Sequence, residues 1–132
     1  KRIDQIFGKN IKNKKIVFLG VTFKPNTDDM RDAVSLYMIP LLHKKKAIIS
    51  YYDPTGEKKE FSIFKNCYFY SNIKDACKAA DLIILHTEWD QFKSLDFKKL
   101  VKNNKFTLYD LRNLYSIEQM KKKNIKYFSI GR

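Results

Sequence analysis

Short apolar runs recur along the chain, separated by longer stretches in which polar residues dominate. A short run that is apolar at consecutive positions is typical of a parallel β-strand buried on both faces. The runs therefore predict five strands and a sixth candidate near the end of the chain. The predicted strands are residues 15–20, 47–52, 67–70, 81–86 and 106–109, with 127–130 as the sixth candidate.

The stretches between these runs predict helices. They are residues 32–45, 72–80, 96–101 and 117–123, with 55–65 a loop or a short helix. Asp32 is the expected N-cap of the first helix, and Ser71 or Asn72 that of the second, since short polar side chains accept from free N–H groups there. Pro40 lies inside the first helix and should kink or weaken it.

Strands that alternate with helices at this spacing predict an α/β fold: a Rossmann-like open, mostly parallel sheet of about five to six strands with helices on both faces. A chain of 132 residues fits one domain. We interpret residues 1–13 as the tail of a preceding helix or a linker, although a frayed terminus fits residues 1–10 equally well. Residues 14–132 are the expected domain. Because the chain begins without Met, we expect a fragment of a longer protein.

The net charge of +13 is compatible with binding to nucleic acid. However, only four of the 27 basic residues are arginines, and recognition of bases and phosphates favours the bidentate arginine fork. The chain is also rich in Ile, Asn, Phe and Tyr, as expected of an AT-rich genome, which would supply much of the lysine. A basic nucleic-acid-binding module is therefore the less favoured reading, and we expect nucleic acid not to be a partner.

The compartment is indicated by what the sequence lacks. No apolar run approaches the ~20 residues of a membrane span, and no signal-peptide pattern opens the chain. Cys67 and Cys77 follow no metal or redox spacing and are expected to be buried or half-buried thiols. We therefore expect a cytoplasmic protein with no membrane partner and no metal site.

The polar loop over residues 20–31 is the densest candidate site. It follows the first predicted strand and carries two cations, Lys24 and Arg31, beside two acids, Asp28 and Asp29. In an open α/β sheet, ligands bind at the carboxyl ends of the strands, where this loop should lie. The loop is therefore as plausible a binding site as a mere connection.

Arg112 follows the fifth predicted strand and should reach the same edge of the sheet as Lys24 and Arg31. Three cations at one edge suit an anionic ligand, and arginine suits a diphosphate best. The alternative is that the two arginines only pair with nearby carboxylates, such as those of Asp28, Asp29 or Asp110. The residues alone thus favour an α/β domain that binds a phosphorylated ligand.

Other kinds of chemistry find little support in the sequence. The four glycines form neither a G-x-G-x-x-G fingerprint nor a P-loop, and no catalytic triad is visible, so no catalytic residue is predicted. His43 and His86 have no obvious partner, and Trp89 is expected to pack in the core. Asp53, after the second strand, could meet a ribose hydroxyl, but a local role in a turn is favoured.

Several segments, in this order, resemble the C-terminal, UDP-binding domain of the UDP-glucose/GDP-mannose dehydrogenase family, and in particular that of its UDP-glucose 6-dehydrogenases. The matching segments are residues 20–36, 52–54, 80–92, 110–113 and 127–132. Two departures stand out, since Leu111 and the run 44–46 occupy places where the family usually has glycine. Neither departure removes a ligand-contacting side chain.

The resemblance implies a function. Such enzymes oxidise UDP-glucose to UDP-glucuronate with NAD, which an N-terminal Rossmann domain binds, while a central helical region carries the nucleophilic cysteine and joins two subunits. Phe23, Lys24 and Arg112 match the residues that contact the substrate, Arg112 in dimers from the neighbouring subunit. Arg31 matches a contact to NAD.

The resemblance also implies what the chain is not. The family's Gly-Gly-Ser-Cys-Phe context is absent, so neither cysteine should be the nucleophile and the fragment alone should be inactive. Its expected partners are the nucleotide sugar and the N-terminal and central domains of the same enzyme, which should be a homodimer. The alternative within the family is a dehydrogenase of a UDP-N-acetylhexosamine or GDP-mannose.

Overall fold

The computed structural model describes residues 10–102 and 105–131. It contains a strand at each apolar run, the sixth candidate included, and each strand begins and ends within one residue of its prediction. The strands are β1 (Lys15–Leu19), β2 (Ile48–Tyr52), β3 (Cys67–Phe69), β4 (Leu82–Leu85), β5 (Thr107–Asp110) and β6 (Lys126–Ser129).

Four α-helices and two single turns of 3₁₀-helix connect these strands in the described part of the chain. The helices are α1 (Ser35–Lys44), α2 (Ile73–Cys77), α3 (Phe97–Val101) and α4 (Ile117–Lys122), and the 3₁₀ turns are Lys59–Phe61 and Asp90–Phe92. Helix α2 is shorter than predicted and is followed by Ala79 in the left-handed conformation, with φ +58°. The first 3₁₀ turn lies in the segment predicted as a loop or short helix.

The six strands form one sheet in the order β3-β2-β1-β4-β5-β6, and every neighbouring pair is parallel. This confirms the predicted Rossmann-like fold. The strand order reverses between β1 and β4, which are neighbours in space. In such sheets the reversal leaves a crevice outside the carboxyl ends of the two strands, where ligands bind.

Alternate residues of the central strands pack into two separate hydrophobic clusters. Ile16 and Phe18 of β1 belong to one cluster, which α1 and the first 3₁₀ turn cover. Val17 and Leu19 belong to the other cluster, which α2, α3 and α4 cover. Because both faces of the strand are buried, nearly every strand position must be apolar, and this explains the continuous runs in the sequence.

The N-terminus of α1 differs from its prediction. The helix begins at Ser35, and its cap position, Val34, makes no side-chain hydrogen bond. Asp32 has a left-handed backbone with φ +60°, so the expectation that it caps the helix is wrong. The N–H of Ser35 is accepted instead by the ring of His86, 51 residues further along. Helix α1 runs through Pro40 without a break.

Asn72 caps α2, which confirms one of the two predicted caps, Ser71 or Asn72. Its side-chain oxygen accepts from the main-chain N–H of Asp75 at 2.8 Å. A helix of only five residues leaves most of its N–H groups without intrahelical partners, so a side-chain cap matters more here than in a long helix.

Helices α1 and α4 end in the same way. The residue two positions after each helix, Lys46 or Asn124, is left-handed, with φ +66° and +57°. After α1, the N–H of Lys46 donates to the carbonyl of His43 and the N–H of Ala47 to that of Leu42. These two bonds define a Schellman motif, in which glycine is the usual left-handed residue. Lys46 therefore adopts the conformation of the glycine that the resemblance leads one to expect in this run.

The predicted tail, residues 1–13, falls largely outside the described residues, and so does the helical pattern over residues 1–10. Its last part contacts the domain. Ile11 is 1% exposed and belongs to the first cluster, and the N–H of Asn13 donates to the carbonyl of Lys46.

Candidate functional site

A cavity of about 330 Å³ opens at the carboxyl edge of the sheet, at the strand-order reversal. It is lined by the loops that follow β1, β4, β5 and β6, and most of the lining side chains are apolar. The lining residues are Phe23, Asp32, Val34, His86, Leu111, Arg112 and Ile130. Two of the predicted site residues, Phe23 and Arg112, thus meet in one cavity at the edge where the sequence placed them.

The loops after β1 and β4 pass each other closely at Gly20. Its φ is +76°, and a Cβ at this position would lie 2.6 Å from Cβ of Thr87. Any larger residue would therefore force the two loops apart. Thr87 uses the approach to donate from Oγ1 to the carbonyl oxygen of Thr22 at 2.8 Å, which fixes the backbone that enters the predicted ligand-binding pair, Phe23 and Lys24.

His86 is a site residue that the sequence reasoning missed, because no partner for it was obvious there, and the structure gives its ring two partners. Its ring is 1% exposed and accepts the N–H of Ser35 at Nε2, 2.8 Å away. Nδ1 lies 2.8 Å from Oγ1 of Thr87. Burial, and secondarily the charge of Arg112, lower the pKa of His86 to about 3. The available signal was its position at the carboxyl end of a predicted central strand.

The Arg112 guanidinium bonds to main-chain carbonyl groups rather than to Asp110. Nε donates to the carbonyl oxygen of His86 at 2.9 Å, and Nη2 donates to that of Phe23 at 2.8 Å. The carboxylate of Glu88 lies 3.9 Å from Nε. Arg112 therefore joins the loops after β1, β4 and β5, and about a third of its side chain, 32%, is exposed.

Asp110 holds the loop that presents Arg112. Its side chain is fully buried, and Oδ1 accepts the main-chain N–H of Arg112 at 3.0 Å. Oδ2 accepts from the N–H of Tyr115 and the hydroxyl of Tyr127, at 3.0 and 2.7 Å. Leu111, at the position of the family glycine, has no left-handed φ. This backbone path therefore does not require glycine, and the leucine side chain lines the cavity.

Lys24 and Phe23 lie at the start of a loop closed by its own hydrogen bonds. The N–H of Phe23 donates to the carbonyl of Asp29 at 3.0 Å, and Oγ1 of Thr22 donates to that of Lys24 at 3.0 Å. The ring of Phe23 is 43% exposed. Lys24 is exposed beside it, next to the cavity but not among its lining residues.

Arg31 lies away from the cavity. Its Nε and Nη2 donate to both oxygens of Asp29, at 3.1 and 2.9 Å. The hydrogen bonds from Arg31 lower the pKa of Asp29 to about 2. The pair lines a shallow surface depression together with Asp28 and Glu60. The guanidinium of Arg31 thus has three carboxylates around it, those of Asp28, Asp29 and Glu60. Local pairing, one of the two predicted uses of Arg31, is therefore present.

The residues that bind a dinucleotide in a Rossmann domain are otherwise engaged in this chain. The first N–H groups of α1 donate to His86 and to carbonyl groups of Ala33 and Val34, so they are not available to a diphosphate. Asp53 is 2% exposed, and its carboxylate accepts from Val21 and Thr55. The favoured local role of Asp53 is confirmed, and the described residues do not fit an NAD site of that type.

The cysteines and the tryptophan behave as predicted. Cys67 and Cys77 are free, half-buried and buried respectively, and burial raises the pKa of each thiol to about 12. A thiol with so high a pKa is a poor nucleophile at neutral pH. Trp89 packs against the second hydrophobic cluster. No group of three potential metal ligands occurs within residues 10–102 and 105–131.

Fold and site together define a doubly wound, all-parallel α/β domain with its cavity at the strand-order reversal. Sequence comparison specifies the class further. Residues 17–117 match the UDP binding domain of the UDP-glucose/GDP-mannose dehydrogenase family. The chain belongs to this family, which confirms the resemblance.

Two curated relatives illustrate the match. The UDP-glucose 6-dehydrogenase of Rhizobium meliloti is 37% identical over 126 residues, which cover 95% of this chain and 29% of that protein. The UDP-glucose 6-dehydrogenase TuaD of Bacillus subtilis is 33% identical over 127 residues, or 93% of this chain and 27% of that protein. The chain thus spans less than a third of the length of these relatives.

Solved structures share the fold. The NDP-N-acetyl-D-galactosaminuronic acid dehydrogenase of Methanosarcina mazei superposes with a TM-score of 0.79 at 22% identity, over 99% of this chain and 27% of that one. The UDP-glucose dehydrogenase of Pyrobaculum islandicum gives a TM-score of 0.76 at 21% identity, over 96% and 27%. In the described part of this chain, no helix is both long and apolar enough to cross a membrane.

Proposed function

We propose that this chain is the UDP-sugar-binding domain of an NAD-dependent UDP-glucose 6-dehydrogenase, which oxidises UDP-glucose to UDP-glucuronate. The observation that carries the proposal is the meeting of Arg112 and Phe23 in a cavity at the strand-order reversal. Family membership and the names of the relatives support the same reading.

In this proposal the chain supplies binding and orientation, and the redox chemistry belongs to parts of the enzyme outside it. Arg112 presents a guanidinium that is already oriented by two carbonyl groups, which favours a diphosphate oxygen at its exposed side. Lys24 adds a second positive charge beside the cavity. The ring of Phe23 offers an apolar surface to the nucleotide.

NAD enters the proposal as the cofactor of the complete enzyme, bound mainly by an N-terminal domain. Because the described residues do not fit a Rossmann-type dinucleotide site, only Arg31 is proposed to contact NAD from this side. The complete enzyme is proposed to be a homodimer in the cytoplasm. The two free thiols are in keeping with a reducing compartment.

Other nucleotide sugars are the alternative substrates within the family. Solved neighbours include a UDP-N-acetyl-mannosamine dehydrogenase of Staphylococcus aureus and a GDP-mannose dehydrogenase of Pseudomonas aeruginosa, so a UDP-N-acetylhexosamine or GDP-mannose enzyme is the alternative. The cavity is lined by residues suited to the nucleotide, and the sugar contacts are proposed to lie in the other domains.

Titration of the isotopically labelled chain with UDP-glucose, followed by NMR, tests the proposal. We expect shifts of the amide signals of Phe23, His86 and Arg112 at ligand concentrations where ADP-glucose, which differs from UDP-glucose only in the base, causes smaller ones. No shifts, or equal shifts with both ligands, would contradict a UDP site. The chain alone should produce no NADH from UDP-glucose and NAD, because burial raises the pKa of both its thiols to about 12 and its described residues do not fit a Rossmann-type dinucleotide site.

A further inference from the structure

Four groups at the carboxyl edge are joined by a directed series of hydrogen bonds, which we call the His86 relay. The N–H of Ser35 donates to Nε2 of His86, and Nδ1 of the same ring contacts Oγ1 of Thr87 at 2.8 Å. Oγ1 of Thr87 donates in turn to the carbonyl of Thr22. The relay connects the start of α1, the end of β4 and the loop after β1.

The donors of the relay determine where the imidazole proton lies. A main-chain N–H can only donate, so Nε2 of His86 must accept and carry no proton. The hydroxyl proton of Thr87 is directed at Thr22, so the contact between Oγ1 and Nδ1 needs a proton on Nδ1. His86 is therefore the neutral Nδ1–H tautomer, and a cationic ring would lose the bond to Ser35.

The same residue also holds Arg112, since its carbonyl oxygen accepts from Nε of the guanidinium. Nη2 of Arg112 then reaches the carbonyl of Phe23, one residue beyond the end of the relay. The two routes from His86, one through its ring and one through its main chain, thus converge on residues 22 and 23. A change at the His86 ring would move both the loop and the guanidinium bound to it.

We propose that His86, as the neutral Nδ1–H tautomer, is the positioning residue of the candidate UDP site. It fixes the Phe23–Lys24 segment and the Arg112 guanidinium in one arrangement without itself being required to contact the ligand. This inference rests on the proposed function. It assigns a role to a residue that no motif in the sequence indicated.

The charged groups around His86 come from two other segments and from its own loop. Arg112 follows β5, Asp32 precedes α1 and lines the same cavity, and Glu88 lies two residues further along and within 3.9 Å of Arg112. The ring of Phe18 faces the imidazole at 6.2 Å between centroids. Because Asp32 and Glu88 could also affect ligand binding, Asp32→Asn and Glu88→Gln serve as charge controls.

Two conservative variants separate the two ends of the ring. In His86→Asn the amide reaches the Nδ1 position and can still donate to Thr87, whereas in His86→Gln it reaches the Nε2 position and can still accept from Ser35. If His86 positions the loop through Thr87, the Asn variant should keep more UDP-glucose affinity than the Gln variant. The isosteric Thr87→Val, which cuts the relay beyond the ring, should weaken binding about fivefold, as expected for one neutral hydrogen bond.

The readout is the UDP-glucose dissociation constant, with UDP-glucose chosen because its diphosphate has no proton to lose or gain near neutral pH. A double-mutant cycle of His86→Gln with Arg112→Ala should show coupled, non-additive losses of UDP-glucose affinity.

The ¹⁵N chemical shifts of the His86 ring in the wild-type chain should report a protonated Nδ1 and an unprotonated Nε2. Wild-type affinity in all the His86 and Thr87 variants, or a protonated Nε2, would overturn the inference. Absence of any UDP-glucose binding by the wild-type chain would instead overturn the proposed function on which it rests.

Discussion

Nη2 of Arg112 donates to the main-chain carbonyl oxygen of Phe23 at 2.8 Å, across 89 residues of sequence. The side chain proposed to meet the ligand therefore also holds the backbone of the other segment that is proposed to bind it. Removing it has two effects, loss of a charge and release of a loop. Lys24 is exposed on the same loop and lets the two effects be separated.

Arg112→Ala and Lys24→Ala should each weaken UDP-glucose binding in the complete enzyme by roughly 10- to 150-fold, the range for a hydrogen bond to a charged group. Only Arg112→Ala should also lower the melting temperature, because only it releases a loop. Calorimetric titration and thermal unfolding of both variants are the measurements. Unchanged affinity with lowered stability would mean that Arg112 is purely structural.

The sequence predicted the strands well because their buried faces impose a local pattern, as in β1 and β4. The candidate edge was predictable too, since the carboxyl ends of parallel strands share one side. The start of α1 was not predictable, because its first N–H group donates to His86, a residue 51 positions away, and rules for helix caps consider only neighbouring residues such as Asp32. The bonds from Arg112 to carbonyl groups were also missed. A sequence pattern indicates carboxylate partners for an arginine but not main-chain carbonyl groups of distant residues.

Acid should destabilise the chain through His86. Its folded pKa of about 3 lies below the ordinary histidine value of 6.5, so the unfolded chain takes up a proton that the folded one does not. The free energy of unfolding is thus unaffected above pH 6.5 and falls as the pH drops towards 3, by up to ~1.4 kcal/mol per pH unit. Urea unfolding between pH 7 and 4.5 measures the slope. His86→Gln should reduce this slope, because it removes the group whose pKa folding lowers.

The left-handed Lys46 should be a site where glycine stabilises. A non-glycine residue in this conformation is disfavoured by roughly 1 kcal/mol, and glycine avoids that strain at the cost of a more flexible unfolded chain. We expect Lys46→Gly to raise the free energy of unfolding by about 0.5–1 kcal/mol. Lys45→Gly is the matched control: its φ of −83° needs no glycine, so the same change should be destabilising. A loss of stability in both variants would refute this account.

Positive charge is concentrated at the amino edge of the sheet, opposite the cavity. The segments leading into the six strands contain one acid, Asp81, and twelve lysines, while the other described residues carry eleven cations and twelve acids. The twelve are Lys12, Lys14, Lys15, Lys44, Lys45, Lys46, Lys65, Lys78, Lys102, Lys105, Lys123 and Lys126. Several follow helix C-termini, where cations suit the helix dipole.

This distribution of charge predicts the strength, salt dependence and location of any binding to nucleic acid, the less favoured function. Any binding of duplex DNA should be weak, decline steeply with salt and not compete with UDP-glucose, since the charges lie at the opposite edge. Replacing Lys12, Lys44 and Lys65 by Gln should reduce it more than the same change at Lys59, Lys74 and Lys93. Fluorescence anisotropy with a labelled duplex measures both. Competition between DNA and UDP-glucose, or DNA binding that persists at high salt, would instead support a nucleic-acid-binding function.

Arg31 has two competing interpretations that the structure makes distinguishable. Its guanidinium is paired bidentately with Asp29, yet its side chain is 88% exposed. The carboxylates of Asp28 and Glu60 line the same depression and oppose an incoming anion. Either Arg31 organises the loop through Asp29, or it turns to the diphosphate of NAD when the rest of the enzyme closes on it.

Asp29→Asn separates the two interpretations better than removal of Arg31 alone. If Arg31 binds NAD, loss of the competing carboxylate should strengthen NAD binding in the complete enzyme, while Arg31→Ala weakens NAD much more than UDP-glucose. Arg31→Lys should then recover only part of the loss, because lysine cannot pair bidentately. If Arg31 organises the loop, Asp29→Asn and Arg31→Ala should weaken both ligands alike, because Phe23 is bonded to the carbonyl of Asp29. Paired titrations of NAD and UDP-glucose against the three variants decide between these outcomes.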